Sequence, residues 1–261
     1  MKMLNLAHKR VIITAGASGI GAVMANKFSQ MGAKIAICDI DANAISGLNN
    51  PSIFPYQADV GSESDVKSFF NFALEQLGGL DVLINNAGVS GPTKPVELIT
   101  LKEWENTFKV NVTGQFLCVR NAVPIFKSQK NGTIINISST AGRVGMPLRA
   151  PYSASKFSVC GFTEVLAVEL GRENIRVNSI LPGMVDGPRL RRIVEERSIA
   201  SGVDFDVYLE HMLHNVSMNT MVNPEEIADV AIFLSSDLAK HISGQAISVC
   251  GNLESYRVAP L

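Results

Sequence analysis

The stretch Arg10-Val11-Ile12-Ile13-Thr14-Ala15-Gly16-Ala17-Ser18-Gly19-Ile20-Gly21 decides how this chain folds. Arg10 to Thr14 reads as a short apolar strand with no polar face. A strand of that kind is buried on both sides, as in a parallel sheet covered by helices. Helical periodicity then runs from Gly19 to Met31 and stops at Gly32, a frequent C-terminal signal. Between the two lie residues without bulk, so the backbone can come close to a pyrophosphate, whose charge a helix N-terminus favours. Tight strand-to-helix turns use glycine in any case; the place of this turn, directly after the first strand, gives it weight.

The same alternation continues outward along the chain. Further apolar strands are expected at Lys34 to Asp39, Ser52 to Gln57, Asp81 to Asn85, Thr133 to Ser138, Ile175 to Leu181 and Gln245 to Val249. Amphipathic helices fill 41–49, 62–77, 101–127 and 152–171, and another spans Pro224 to Ser235. A polar, Met- and Arg-containing stretch, 187–222, interrupts the pattern. Alternating strands and helices predict a doubly wound α/β fold with right-handed crossovers. The parallel sheet has about seven strands with helices on both faces. Neither linker nor repeat divides the chain, so one domain is expected over 1–261, with a cofactor half of 1–130 and a catalytic half of 131–261.

Bulk properties narrow the function classes. With 261 residues, 46% of them hydrophobic and 18% charged, the chain has the makings of a large packed core. A net charge of −1 without a basic run argues against nucleic-acid binding. No stretch approaches the roughly 18 apolar residues of a membrane span, and Met1 to Leu6 is too short and interrupted for a signal peptide. Cys38, Cys118, Cys160 and Cys250 stand far apart in apolar runs, which reads as buried free thiols in a reducing cytoplasm.

Asp39 ends the second strand. A carboxylate there can accept hydrogen bonds from ribose hydroxyls and would repel a 2′-phosphate, for which no Lys or Arg stands nearby. This favours NAD over NADP, and Asp41 is available to cap the next helix instead. Tyr152 and Lys156 lie four apart at the start of a helix, so phenol and ammonium can share one face. A free phenol ionises near pH 10, too high for a good base at neutral pH; a neighbouring cation favours the phenolate.

On these residues the chain resembles the classical short-chain dehydrogenase/reductase family over essentially its whole length. The family turn is Thr-Gly-x-x-x-Gly-x-Gly; here Thr14, Gly19 and Gly21 match, Ala15 stands at the first glycine and Gly16 lies next door. The resemblance implies a Rossmann-type domain in which Thr14, Gly16, Ser18, Gly19, Ile20 and Gly21 surround the cofactor. It assigns Asp59-Val60 to the adenine. Asn85-Asn86-Ala87-Gly88 supports the sheet and flanks the cofactor, and Pro182-Gly183-Met184-Val185 fixes the carboxamide. Gly187 replaces a threonine common five residues beyond that proline.

The resemblance also implies a mechanism. Tyr152 exchanges the proton of a substrate hydroxyl while hydride passes to or from the nicotinamide, and Lys156 binds the nicotinamide ribose and tunes Tyr152. Ser139, thirteen positions before Tyr152, steadies the substrate oxygen, with Ser138 as a structural rival. Asn111, in mid-helix where asparagine is intrinsically unfavourable, holds a water that passes the proton outward. Homotetramers or homodimers are implied as well.

Substrate choice is expected from a loop over 184–222 and from residues around Ser139 and Tyr152. Arg143, Arg149, Arg189, Arg191 and Arg192 lie there; one or two of them reach an anionic substrate group, or the Arg- and Glu-rich run 189–197 is a solvated helix. His211 and His214 lack a third ligand, so no metal is expected. Trp104 reads as an interface or packing residue. The alternatives are a 3-oxoacyl (acyl-carrier-protein or CoA) reductase and, from another class, a non-catalytic dinucleotide-binding regulator.

Overall fold

A computed structural model describes residue 4 and residues 6–255. In chain order the first half runs β1 (Arg10–Thr14), α1 (Gly19–Gln30), β2 (Lys34–Asp39), α2 (Ala42–Ser46), β3 (Ile53–Gln57), α3 (Glu63–Leu77), β4 (Val82–Asn85), α4 (Leu101–Phe108) and α5 (Gly114–Gln129). The second half runs β5 (Gly132–Ile137), α6 (Ala150–Leu170), β6 (Ile175–Pro182), α7 (Pro188–Ser201), α8 (Phe205–Leu213), α9 (Pro224–Ser235) and β7 (Ala246–Val249). The seven strands make one parallel sheet in the order β3-β2-β1-β4-β5-β6-β7.

Successive strand side chains point to opposite faces, so each apolar strand feeds two cores. Ile12, Ala36, Leu83, Ile134 and Val177 pack under α3, α5 and α6 with Phe69, Phe70, Leu117 and Phe126. Val11, Ile13, Ile35, Ile84, Ile135 and Ile180 turn the other way, onto Met24 and Phe28 of α1 and Ile227 and Leu234 of α9. This is the expected Rossmann-like doubly wound arrangement. Strand order reverses between β1 and β4, and a crevice at the carboxyl ends of such strands is where ligands of open α/β sheets bind.

Two regions depart from the sequence reading. The single helix expected over 101–127 is α4 and α5 joined by a π turn at Lys109–Thr113. The interruption at 187–222 contains two helices, α7 and α8. Cys38, Cys118 and Cys250 are buried free thiols and Cys160 is a half-buried one. Among the described residues, no helix is long and apolar enough to cross a membrane.

Candidate active site

At the crevice the loops after β1 and β4 are stitched together. Thr14 Oγ1 accepts from the backbone N–H groups of Asn86 and Ala87, each at 2.9 Å. Asn86 Nδ2 donates to the carbonyls of Thr14 and Ala15, each at 3.0 Å. Gly21 lies under this stitch, where a β-carbon would stand 2.0 Å from the Ala15 oxygen. At Gly16 a β-carbon would stand 2.6 Å from Ile37. Gly19 has φ +52° and faces open space. Ser18 precedes α1 in extended conformation without capping it, and no acidic residue occupies the first turn; Ile20 packs on the core below.

An uncapped helix N-terminus behind a glycine facing open space suits a pyrophosphate. Asp39, at the end of β2, accepts from the Ala17 N–H at 3.1 Å and the Asp41 N–H at 3.2 Å. The capping of α2 falls to Asp41, which accepts from the N–H groups of Asn43 and Ala44. Asp39 is therefore not the cap of α2, and a carboxylate beside this turn is an acceptor suited to the hydroxyls of a dinucleotide ribose. Asp59 is more engaged: its carboxylate accepts from Gly61 N–H at 2.8 Å and pairs with Lys109 at 3.1 Å. Val60 is buried against Gly114. At the far end of the crevice β6 closes on Pro182, and Gly183 donates its N–H to Val249 O at 2.8 Å. Val185 forms a parallel bridge with Val222.

The second cluster is built on α6. Tyr152 is half-buried in its first turn, and Lys156, one turn on, is 3% exposed. Lys156 Nζ lies 5.8 Å from the Tyr152 ring centroid and donates to Ile137 O at 2.9 Å. Burial, and secondarily the charge of Arg189, push the lysine down to about 7; Cys160 acts weakly the other way. The two serines after β5 divide their work. Ser138 donates to Lys156 O at 2.9 Å, holding the helix to the strand. Ser139 Oγ only accepts, from Ala141 N–H at 3.1 Å, so its O–H has no acceptor among the described residues.

Asn111 sits in the π turn and is fully buried. Its Oδ1 accepts from Val89 N–H at 2.8 Å, while Nδ2 donates to Val89 O at 3.0 Å and to Ser155 Oγ at 2.9 Å. Ser155 in turn donates to Tyr152 O at 2.7 Å. Ser155 was missed in the sequence; its place one turn from Tyr152 on the same face was the available signal. Gly88 separates Asn111 and Lys156: a β-carbon there would stand 3.3 Å from Asn111 Oδ1 and 3.4 Å from Lys156 Nζ. Fold topology thus brings Asn111, Ser139, Tyr152 and Lys156 to the ends of β4 and β5, beside the stitched turn.

Away from the crevice, Trp104 stacks on Phe108 at 4.9 Å. Among the described residues no three His, Cys, Asp or Glu side chains are placed to hold a metal ion.

Comparisons with known proteins agree with this geometry. The family profile "short chain dehydrogenase" matches residues 9–198. A 3-oxoacyl-[acyl-carrier-protein] reductase of Thermotoga maritima is 33% identical over 258 residues, covering 96% of this chain and 99% of its own length. The crystal structure of a 3-ketoacyl-(acyl-carrier-protein) reductase from Brucella melitensis, complexed with NADH, superimposes with a TM-score of 0.86 at 30% identity, over 96% of this chain and 100% of that one. An actinorhodin polyketide ketoreductase with NADPH gives a TM-score of 0.89 at 28% identity, over 95% and 98%. The chain therefore belongs to the short-chain dehydrogenase family, oxidoreductases that use NAD or NADP to interconvert hydroxyl and carbonyl groups.

Proposed function

We propose that this chain, acting as one domain, is an NAD-preferring enzyme that interconverts a hydroxyl (a secondary alcohol, sugar, polyol or hydroxy acid) and a carbonyl, with Tyr152 as general acid and base. The carrying observation is the buried Lys156 ammonium, fixed by Ile137 O and standing 5.8 Å from the Tyr152 ring. Thr14, Gly16, Ser18, Gly19, Ile20, Gly21, Asp39, Asp59, Val60, Asn86, Ala87, Gly88, Pro182, Gly183 and Val185 form the cofactor's bed. When bound there, the nicotinamide accepts or supplies hydride.

The chain's own residues do the rest. Tyr152 takes the substrate's hydroxyl proton in oxidation and returns it in reduction. A positive Lys156 stabilises the phenolate oxygen and holds the nicotinamide ribose. Ser139 donates its unused O–H to the substrate oxygen. Asn111, joined to Ser155 and Val89, is assigned the proton's outward path. Asp39 supports NAD, since its charge opposes a 2′-phosphate. Free thiols suit a cytoplasmic setting. Exposed Phe116, Phe157 and Val168 on α5 and α6 suit a homodimer or homotetramer, which a light-scattering mass decides.

The test is a panel of secondary alcohols, polyols, sugars and hydroxy acids, assayed with NAD and with NADP. Tyr152→Phe should lower turnover of any substrate found by about 10²–10⁴-fold while NADH still binds. Undiminished turnover in that variant would sink the assignment. The two acyl-carrier reductases among the similar proteins support a second reading, a 3-oxoacyl reductase. Efficient reduction of acetoacetyl-CoA with NADPH would favour it.

A further inference from the structure

The five arginines near the substrate region separate cleanly by partner. Arg143 is paired with Glu254 at 2.6 Å and also donates to Ser248 Oγ and Ala246 O. Arg191 is paired with Asp186 at 3.0 Å, and Arg192 faces Glu196 at 3.8 Å on the exposed side of α7. These three belong to the fold and its surface. Arg149 and Arg189 have no carboxylate partner among the described residues.

Arg149 is the unusual one. It is 8% exposed, and its guanidinium carbon stands 4.8 Å from the Tyr152 ring centroid. Among the described residues its guanidinium makes one hydrogen bond, from Nη2 to Ser90 O at 2.9 Å, and Nε is buried without an acceptor. Arginine stays protonated in proteins, so this is a buried, unpaired cation with open donors. Arg189 donates to Gly88 O at 2.9 Å, on the same side of the crevice. Burial is the chief cause that lowers the Arg149 pKa; Tyr152 acts the other way, and the half-buried Arg197 and then Arg189 add repulsion. A fold that gathers positive charge beside Tyr152, with no carboxylate partner among the described residues, leaves a place for an oxyanion.

Packing against the Tyr152 ring and tying down Ser90 would be a purely structural use of Arg149. That use requires neither the open Nε–H nor the second cation at Arg189. Arginine's planar fork matches a bidentate oxyanion. Its closeness to the ring allows only a short spacer between that oxyanion and the carbon Tyr152 serves.

We propose that Arg149, assisted by Arg189, binds an oxyanion of the substrate, so that this enzyme acts on short hydroxy acids and their oxo acids, and not on neutral alcohols or sugars. The inference rests on the assignment of Tyr152 and the crevice made above. Carboxylate is the first candidate, and sulfonate and phosphate esters offer the same chemistry.

The experiment measures binding without turnover. Tyr152→Phe protein, which keeps the ring, is loaded with NADH. It is then titrated with three- to five-carbon oxo acids, their primary amides, an oxo sulfonate and an oxo phosphate ester, followed by nicotinamide fluorescence. At least one acid should bind about tenfold or more tightly than its amide, and the strongest of the three anion classes names the source. Adding Arg149→Gln should bring acid and amide within about twofold, with NADH affinity unchanged. Arg149→Lys should lose part of the preference and Arg189→Gln a smaller part. Should Arg149→Gln lose its thermal transition, the lysine and Arg189 variants carry the test. Equal binding of acid and amide, no binding by any anion to the NADH-loaded protein, or a preference that survives these substitutions overturns the proposal. Failure to bind NADH at all would instead overturn the cofactor reading on which it stands.

Discussion

The turns after β1 and β4 are built of backbone, whereas the excursion over 184–222 presents side chains carried on helices. At 14–21 and 85–88, Thr14 and Asn86 spend their polar atoms on main-chain groups of the two loops, and Gly16 and Gly21 stand where no β-carbon fits. At 184–222 the chain leaves the sheet, returns through the bridge of Val185 to Val222, and carries α7 and α8, of which α8 buries no residue. The first region tolerates few residue types at each place. The second fixes only a path, so its exposed side chains can change without altering the fold.

The largest effect expected lies at Lys156, buried on α6 where it meets the rigid turn at Gly88. Lys156→Met should lower turnover by about 10²–10⁴-fold, since the phenolate loses its cation. The same change should raise the thermal stability of the cofactor-free protein at pH 6, because a buried charge is removed. The sign follows from linkage. Folding lowers this lysine from near 10.4 in the unfolded chain to about 7. Below pH 7 both states hold the proton and the penalty is full. From about pH 7 to 10.4 the unfolded chain alone keeps it, so the penalty fades as pH rises. The variant's advantage in Tm should shrink across that window; an advantage that grows with pH would contradict the assignment.

Gly21→Ala comes next. Its β-carbon would have to displace the Ala15 carbonyl, a main-chain atom fixed by Asn86, so no flexible side chain can yield. A stability loss of about 2–3 kcal/mol is expected, with weakened NADH binding as the turn shifts. The counterpart on the permissive side, Arg192→Ala on the exposed face of α7, should move stability by less than about 0.5 kcal/mol. Equal effects at the two positions would erase the contrast between the regions.

The sequence made the rigid side legible for the same physical reason that it is rigid. Apolar strands and small-residue turns leave marks at fixed positions, and every strand of the sheet was visible to within a residue or two. Asp39, Ser139, Tyr152 and Lys156 follow from their places at strand ends and a helix start. What stayed hidden depends on how side chains meet across elements. The π turn at Lys109–Thr113 adds a residue to one helical turn and brings Asn111 to Val89 and Ser155, and no periodicity announces that. The division of labour between Ser138 and Ser139 required the Lys156 carbonyl to be in view. Five arginines looked alike until their carboxylate partners, or the lack of them, sorted them.

A further small effect concerns the one residue of the turn other than glycine with a positive φ. Ala15 has φ +49°, the left-handed region in which a β-carbon costs roughly 1–2 kcal/mol. The family's glycine belongs at this position, while the glycine next door, Gly16, answers a different need, the close approach of Ile37. The turn thus meets the packing need at Gly16 and carries the strain at Ala15. Ala15→Gly should relieve it. Two terms oppose the gain: the unfolded chain becomes freer by about 0.4–1 kcal/mol, and the Ala15 methyl leaves its place against the core. A net gain of no more than about 1 kcal/mol remains, raising Tm by about 2–4 °C. NADH affinity should stay within about twofold, because Asn86 donates to the main-chain carbonyl of residue 15 whatever its side chain. A lower Tm would mean that the methyl's packing outweighs the dihedral strain, and that alanine is the better residue for this turn.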